Sequence, residues 1–419
     1  MTLGAFYREA QGRAARDTLT PTPPARRHDM GALDLLRVDH IGSLRRPQAL
    51  LDLRARVDDG EATSDELTAL EDELIREVIA EQERIGFPIV TDGEFRRSNF
   101  QDSFGASVSG YDTPESREEY RRWQQGNRSD QQQRVESGPQ VAGPPVVTRS
   151  PAVERLTLTR NLPLEEYLFA AGTARTSAKV TLIGPDRVAQ RFDWQASEGV
   201  YEDLDDFRKH VAEIQHEMVR QLVEAGCPYV HIDAPGYTAY VDEPSLAAMR
   251  SRGEDPEENL TQSIAADNRV IEGIEATCGI HLCRGNSRAI DPLTGRMVAQ
   301  WHREGHYDAI AEQLFTQLNH KRLMLEYDSE RAGSFEPLRF VPKDRIVVLG
   351  LVTTKSTDIE TMDDLKRRID EASRYVDGDQ LALSPQCGFA SGGGGETVPE
   401  DVQWRKLDVI LETAARVWG

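Results

Sequence analysis

Short apolar runs alternate with longer amphipathic stretches along most of this chain. Eight of the apolar runs have the length of buried strands, and helix-length segments separate most of them. This alternation is typical of a parallel sheet covered by helices. The predicted strands are residues 36–43, 88–93, 178–184, 228–233, 279–283, 322–327, 346–353 and 380–385.

The stretches between the strands carry apolar residues at helical spacing. Residues 64–67 read Ser-Asp-Glu-Leu, a capping-box-like helix start, and Leu67, Leu70, Leu74 and Val78 then recur on one face. Eight strands that alternate with helices predict an α/β fold, a (β/α)8 TIM barrel, and one such barrel with insertions reaches this chain length. Further predicted helices are residues 203–225, 261–276, 305–318, 358–375 and 399–417.

Two segments depart from the alternation. Residues 1–33 are rich in Ala, Arg, Thr and Pro without an apolar period, which predicts an N-terminal extension, an arm or a disordered leader. Residues 102–176 form an insertion after the second strand, with a helix-like part at 115–123. We expect this insertion to be a lid, a dimer arm of a homodimer, or a solvated loop. The barrel itself is predicted for residues 34–419.

The charge balance narrows the range of partners. The chain of 419 residues has 50 basic and 71 acidic residues, a formal net charge of −21. Such an excess of negative charge disfavours nucleic acid and anionic membrane surfaces. No apolar run is long enough to span a membrane and no signal peptide opens the chain, so we predict a cytoplasmic protein with small-molecule partners.

The four cysteines are too sparse for a disulfide framework. Cys227 and Cys278 each end a helix-like stretch before a strand, and we interpret both as core thiols. Cys283 is different because it follows His281 at a spacing of two. In a strand those two side chains point to the same face and can bind one ion.

Two remote residues strengthen the interpretation of His281 and Cys283 as metal ligands. Glu326 ends the apolar run at 323–325, and Cys387 follows the run at 381–384. Two thiolates, an imidazole and a carboxylate suit Zn²⁺ better than Mg²⁺ or Ca²⁺. The His-x-Cys pair alone would more often be a packed thiol beside a core histidine.

Three motifs resemble the catalytic domain of cobalamin-independent methionine synthase, in its short, single-barrel branch. They are His-Leu-Cys-Arg-Gly-Asn at 281–286, Leu-Glu-Tyr-Asp at 325–328 and Ser-Pro-Gln-Cys-Gly-Phe at 384–389. The resemblance covers about residues 35 to 419. It implies that His281, Cys283, Glu326 and Cys387 bind zinc, which holds a thiol substrate as thiolate during methyl transfer to sulfur.

The resemblance extends to the acceptor site. Ile41, Gly42 and Ser43 match a first-strand segment that holds the homocysteine carboxylate, and Glu94 matches a residue that receives the ammonium group. Asp233 matches an Asp that shares this task, and we interpret it also as a candidate catalytic residue. The resemblance therefore implies homocysteine as the default acceptor and methionine as the product.

Two departures from the family pattern concern the methyl donor and the proton. Lys355 stands where full-length synthases carry a histidine assigned to proton transfer, so we interpret it as a candidate catalytic residue or as a surface lysine. The chain also has no room for the second barrel that helps those synthases to bind folate. The donor stays open.

Three functions fit the candidate residues. The first is zinc-dependent methyl transfer to a thiol, because an electron-rich ion with three anionic ligands favours holding a thiolate over activating water. The second is a related zinc-dependent alkyltransferase that acts on another thiol or electrophile. The third is a non-enzymatic zinc-binding barrel, which would have a closed site.

Overall fold

A computed structural model of the chain describes residues 33, 35–97, 102–111, 151–192, 197, 199–284, 286–290, 297–301, 305–390 and 398–419. The predicted N-terminal extension lies almost entirely outside the described residues, as does the helix-like part at 115–123. The described strands are β1 (Ile89–Val90), β2 (Val108–Tyr111), β3 (Ala152–Leu158), β4 (Ser177–Ala178), β5 (Val180–Ile183), β6 (Tyr229–Asp233), β7 (Thr277–Leu282), β8 (Asn286–Ile290), β9 (Met297–Trp301), β10 (Arg322–Glu326), β11 (Ile346–Val352) and β12 (Leu381–Pro385).

Six strands form a central parallel sheet in the order β12-β11-β10-β7-β6-β5. Beside β5, the short strand β4 pairs in parallel with β1, and the Lys179 N–H between β4 and β5 donates to the Val90 carbonyl at 3.0 Å. Beside β12, Val38 pairs in parallel with Leu383. Every residue of β5, β6, β7, β10, β11 and β12 is buried, as expected of a parallel sheet covered on both faces.

The parallel α/β class predicted from the sequence is confirmed, but strand pairing does not form one closed sheet among the described residues. The segments predicted as strands at 36–43 and 88–93 pair over one and two positions. Gly42 explains part of this difference, because its φ of 145° takes the chain out of the extended conformation.

Helices cover the sheet, and their apolar faces meet it in one large hydrophobic core. The described α-helices are α1 (Gln48–Asp58), α2 (Ser64–Arg84), α3 (Asp102–Gly105), α4 (Leu162–Thr173), α5 (Pro185–Gln190), α6 (Leu204–Glu224), α7 (Glu243–Ser251), α8 (Pro256–Val270), α9 (Ala311–Gln317), α10 (Met362–Ala372) and α11 (Glu400–Trp418). No described helix is both long enough and apolar enough to cross a membrane.

The structure corrects several predicted boundaries. The capping box of α2 is formed by Thr63 with Glu66, one residue before the predicted start. The helix predicted at 261–276 is α8, which begins earlier because Asp255 caps the amide groups of its first turn. Since α8 ends at Val270, Cys278 lies inside β7 and not at a helix end.

Two antiparallel pairs were not predicted. β2 pairs with β3 inside the predicted insertion, and β8 pairs with β9 shortly after Cys283. Polar and small residues make up most of β8, so its sequence lacks the alternation that indicates a strand. Both pairs are additions to the predicted alternation of strands and helices.

A buried ionic network lies at the start of the central strands. Asp39 accepts hydrogen bonds from Lys179 at 2.6 Å, from Tyr229 at 2.8 Å and from Arg322 at 3.1 Å, and all four side chains are almost completely buried. Each charge has an opposite partner, which offsets the cost of removing it from water. Lys179 also lies 3.2 Å from Nδ1 of His231, which links the network to the other end of the sheet.

Candidate metal centre and the residues around Glu94

The four candidate ligands lie at the carboxyl ends of three strands of the central sheet. His281 is in β7, Cys283 directly follows β7, Glu326 is the last residue of β10, and Cys387 follows β12. β7 and β10 are parallel neighbours whose residues Leu282 and Leu325 pair, so their ends meet at one edge. All four side chains are buried.

The ligand atoms of these residues converge. The Nε2 or Nδ1, Sγ and carboxylate atoms lie within 4.8 Å of one another. The two Sγ atoms are 3.6 Å apart, and Nε2 of His281 is 3.5 Å from Oε1 of Glu326. A tetrahedral ion with Zn–S bonds of about 2.3 Å requires sulfur atoms about 3.8 Å apart. The residues therefore fit zinc in both donor chemistry and spacing.

Asp233 orients the imidazole of His281. Its Oδ1 accepts a hydrogen bond from Nδ1 of His281 at 2.7 Å, which leaves Nε2 facing Glu326 and, at 3.1 Å, the carbonyl oxygen of Gln386. A carboxylate behind a ligating histidine is a common supporting arrangement at zinc sites. Burial would lower the pKa of His281, but the hydrogen bonds with Asp233 and Glu326 raise it well above the ordinary value.

Three groups hold the carboxylate of Glu326. Oε1 accepts from the Arg284 backbone N–H at 2.9 Å, Oε2 accepts from the Arg331 guanidinium at 2.6 Å, and Nζ of Lys355 is 4.0 Å from Oε2. Burial would raise the pKa of Glu326, but Lys355 and Arg331 hold it well below its usual range. Sequence reasoning missed Arg331, because no local spacing rule connects it to Glu326.

The loop after β11 brings Lys355 to the candidate metal centre. Its side chain is 10% exposed, and Nζ lies 3.2 Å from Oδ2 of Asp328, within the motif that contains Glu326. Lys355 is therefore not a surface lysine, the alternative left open by the sequence.

Glu94 lies in the turn after β1 with a left-handed φ of 59°. For a residue with a side chain this conformation costs roughly 1–2 kcal/mol, and a hydrogen bond from its N–H to Oδ1 of Asp92 at 2.9 Å stabilises the turn. Oε1 accepts from the Thr181 hydroxyl at 2.7 Å, whereas the buried Oε2 has no hydrogen-bond partner among the described residues. Burial raises the pKa of Glu94, and the nearby charge of Asp233 adds to this shift although Arg97 opposes it.

The segment at 41–43 lies between Glu94 and Cys387. A Cβ atom on Gly42 would lie 2.6 Å from Cγ2 of Thr181 and 3.1 Å from Oε1 of Glu94, so only glycine fits there. The Ser43 hydroxyl lies against Gly388, and the Ser43 carbonyl accepts from the Phe389 N–H at 2.9 Å. The side chain of Ile41 packs in a buried apolar cluster.

The other cysteines and His231 lie outside the candidate ligand set. Cys227 and Cys278 are buried, and their Sγ atoms contact the carbonyl oxygens of Tyr229 and Ala276. Burial raises the pKa of Cys227 to about 12, as expected of an unreactive core thiol. Nε2 of His231 lies 3.8 Å from Oδ1 of Asp233, so this histidine supports the carboxylate behind His281.

Comparison with known proteins relates this chain to one family. Residues 313–404 match the family described as "Cobalamin-independent synthase, Catalytic domain". The uncharacterized protein YxjH of Bacillus subtilis is 34% identical over 389 residues, 91% of this chain and 94% of that protein. A methionine synthase of Pyrococcus abyssi is 25% identical over 361 residues, 85% of this chain and 87% of that protein.

A crystal structure shows the same fold. It is that of a putative vitamin-B12 independent methionine synthase from Listeria monocytogenes, with a TM-score of 0.67 and 24% identity, and the match covers 92% of this chain and 98% of that chain. Fold and site together define an α/β protein with a preassembled cluster of soft metal ligands at the carboxyl edge of its sheet. The chain belongs to the cobalamin-independent methionine synthase family. Membership implies a methyltransferase.

Proposed function

We propose that this protein transfers a methyl group to the sulfur of homocysteine, with His281, Cys283, Glu326 and Cys387 holding zinc. The observation that carries the proposal is the convergence of these four ligands next to Glu94 and Asp233. The first set suits a thiolate-binding ion, and the two carboxylates suit an amino group. One small molecule that carries both a thiol and an amine would engage both sets.

We infer that the central sheet continues into a closed (β/α)8 barrel of residues 34–419. Support comes from the segment at 37–44, which contacts both edges of the described strands. On one side the Asp39 N–H donates to the Leu383 carbonyl at 3.0 Å, and on the other the Leu44 N–H donates to the Gly93 carbonyl at 3.1 Å. Residues 1–33 then form an extension, and residues 102–176 an insertion that serves as a lid or dimer arm.

Zinc, when bound, supplies the positive charge that keeps the acceptor sulfur as a thiolate at neutral pH. The chain's residues prepare the site for that charge. Asp233 fixes the tautomer of His281, and the Arg284 N–H and Arg331 fix the carboxylate of Glu326. These contacts leave the ligands little freedom to lose when the ion binds.

The acceptor's amino acid group would be held by the second set of residues. The unpartnered Oε2 of Glu94 is the proposed acceptor for the ammonium group, together with Asp233, whose Oδ1 already binds His281. Ser43 and the backbone of Ile41 and Gly42 are the proposed partners of the carboxylate. An acceptor without an amine would leave the charge of Glu94 unpaired in a buried place.

Methyl transfer to the acceptor forms one bond to carbon and breaks another. A lone pair of the acceptor sulfur forms the new bond to carbon, and the bond between the methyl group and the donor breaks, with its electron pair leaving on the donor. The thiol proton is released to solvent, and the departing donor takes up a proton where its chemistry requires one. Lys355 is the proposed source of that proton or the partner of an anionic part of the donor.

The activity can be tested directly with several donors. Zinc-loaded protein is incubated with homocysteine and, in separate reactions, with methyl-folate monoglutamate, methyl-folate polyglutamate, methylcobalamin and a methylated metabolite. Methionine is measured by mass spectrometry, with chelator-treated protein as the control. Methionine formation that depends on zinc supports the proposal. Absence of methionine with every donor, or formation that survives zinc removal, contradicts it and favours another acceptor or a non-enzymatic role.

The role of Lys355 has its own test. Lys355→Met should lower turnover with the preferred donor by about a hundredfold, the scale of a lost general acid, and change zinc affinity far less. Lys343→Met, at a side chain that is 89% exposed, is the matched control. An unchanged rate in Lys355→Met would leave proton delivery to water.

A further inference from the structure

A buried ion pair lies directly behind the carboxylate proposed to bind the acceptor's amine. Arg97 donates to both carboxylate oxygens of Glu166 in α4, from Nε to Oε1 at 2.9 Å and from NH2 to Oε2 at 2.5 Å. Both side chains are 1% exposed. Two parallel hydrogen bonds between a guanidinium and a carboxylate are the strongest ion-pair geometry in proteins.

Thr181 connects this ion pair to Glu94. The Arg97 NH1 group donates to the Thr181 hydroxyl oxygen at 2.9 Å, and the hydroxyl donates its hydrogen to Oε1 of Glu94 at 2.7 Å. The direct distance from Arg97 to Oε1 of Glu94 is longer, at 3.6 Å. Arg97 therefore contacts Glu94 through the Thr181 hydroxyl and through a loose ion pair, not through a direct hydrogen bond.

Several buried carboxylates share the cations around Glu94. Asp92, Glu94 and Glu166 are three buried carboxylates whose charges act on Arg97, and the charge of Asp233 also acts on Glu94. A second buried guanidinium is that of Arg46, which donates to the carbonyl oxygens of Ala390 at 2.7 Å and of Glu94 at 3.4 Å. Arg97 therefore serves more than one carboxylate, and its shortest contacts are with Glu166. Oε2 of Glu94 and Oδ2 of Asp92 have no hydrogen-bond partner among the described residues.

We propose that Glu166 determines the specificity for an amine-bearing acceptor by holding Arg97 away from a close ion pair with Glu94, so that Oε2 of Glu94 stays open to an ammonium group. This inference rests on the proposed function, because it names the residue that makes the homocysteine pocket select an ammonium group. Glu166 is a positioning residue and does not touch the acceptor. Burial raises the pKa of Glu166 to about 7 although Arg97 opposes the shift, so the pair is fully charged above neutral pH.

The test compares two ligands that differ only in the amine. L-Homocysteine and 4-mercaptobutanoic acid share the thiol and the carboxylate, and their dissociation constants are measured by calorimetry on zinc-loaded protein at about pH 8, where Glu166 is ionised. In Glu166→Gln the charge of Arg97 becomes available to Glu94. We expect the dissociation constant of homocysteine to rise about tenfold and that of 4-mercaptobutanoic acid to change less than about twofold.

Two further variants serve as a control and as a second test of the contact between Arg97 and Glu94. Glu165→Gln alters the neighbouring, exposed glutamate and should leave both dissociation constants unchanged. Thr181→Val removes the hydroxyl without changing any charge, and we expect a smaller loss, about threefold and again for homocysteine alone. This variant decides the matter if Glu166→Gln does not fold.

The possible failures are distinguishable. A wild-type protein that binds both ligands equally well would contradict the amino acid pocket of the proposed function. A wild-type preference for homocysteine that persists unchanged in Glu166→Gln and in Thr181→Val would overturn only the role of Glu166. Equal weakening of both ligands would show that Glu166 serves the fold and not the selectivity.

Discussion

The candidate metal centre and the carboxylates around Glu94 differ in whether their functional groups have hydrogen-bond partners in the protein. At the metal centre each candidate ligand has a second partner in the protein: Asp233 binds His281, Arg331 binds Glu326, and the two thiols lie against each other. In the pocket, Oε2 of Glu94 and Oδ2 of Asp92 lack any hydrogen-bond partner among the described residues. The candidate ligands thus have partners before an ion binds, whereas one oxygen of each of these two carboxylates does not.

This difference suggests how the protein would select the metal ion and the acceptor molecule. A cluster whose members are already hydrogen-bonded loses little freedom when an ion binds, so its geometry selects the ion. A buried carboxylate with an unpartnered oxygen is costly until a cation approaches it, and on this ground we propose that the charge of Glu94 selects an amine-bearing substrate. The left-handed φ of Glu94 adds to that cost, and such strain is common at binding sites.

Removal of a ligand thiol should have the largest effect. Cys283→Ser and Cys387→Ser should each lower zinc affinity by more than the 10- to 100-fold typical of a lost supporting residue, and activity should fall together with metal content. Zinc is measured by competition with a chelator and by elemental analysis. Cys227→Ser, at a buried thiol away from the cluster, should keep both zinc and activity. Full zinc occupancy in either of the first two variants would refute the ligand assignment.

Neutralising Glu94 should affect the acceptor and not the metal. In Glu94→Gln we expect homocysteine affinity to fall about a hundredfold, the scale of a lost buried charge pair, while zinc affinity stays unchanged. Binding of 4-mercaptobutanoic acid is the ligand control, and Glu154→Gln on the exposed face of β3 is the protein control. A parallel loss of zinc would mean that the two regions are not separate.

The fold class was predictable from the sequence because strand and helix periods are local. β6, β10 and β12 lie within one residue of their predicted boundaries, since each is a short apolar run buried on both faces. The segment at 36–43 was predicted as a full strand but pairs only at Val38. The spacing of apolar residues carries no information on contacts between distant segments. It therefore could not show that the backbone at Gly42 leaves the extended conformation where it passes close to Thr181 and Glu94.

The candidate site was predictable only for residues whose side chains are chemically distinctive, such as metal ligands. His281, Cys283, Glu326 and Cys387 were predicted as ligands from their residue types at strand ends, and the structure brings all four side chains together. Two supporting residues were missed, Arg331 beside Glu326 and Glu166 behind Glu94. Both act through contacts between distant segments, and arginine or glutamate in a helix or loop is ordinarily a surface residue. The sequence assigned Asp233 to the acceptor and to catalysis, but it did not predict that its Oδ1 would accept a hydrogen bond from His281.

Asp233 binds His281 at the candidate metal centre, and its charge also acts on Glu94. Its substitution therefore tests both regions at once. Burial would raise the pKa of Asp233, but the nearby imidazole of His231 and the hydrogen bond with His281 hold it well below its usual range, so the side chain is a carboxylate. In Asp233→Asn the amide oxygen can still accept from His281, and we expect zinc affinity to fall about tenfold, the lower end of supporting-residue effects. If Asp233 also binds the ammonium group, homocysteine affinity should fall further, whereas that of 4-mercaptobutanoic acid should follow zinc occupancy alone.

Both ligands are titrated at saturating zinc, which separates the two roles. Loss of homocysteine binding without any change in zinc affinity would remove Asp233 from the support of the metal centre and leave it to the acceptor pocket.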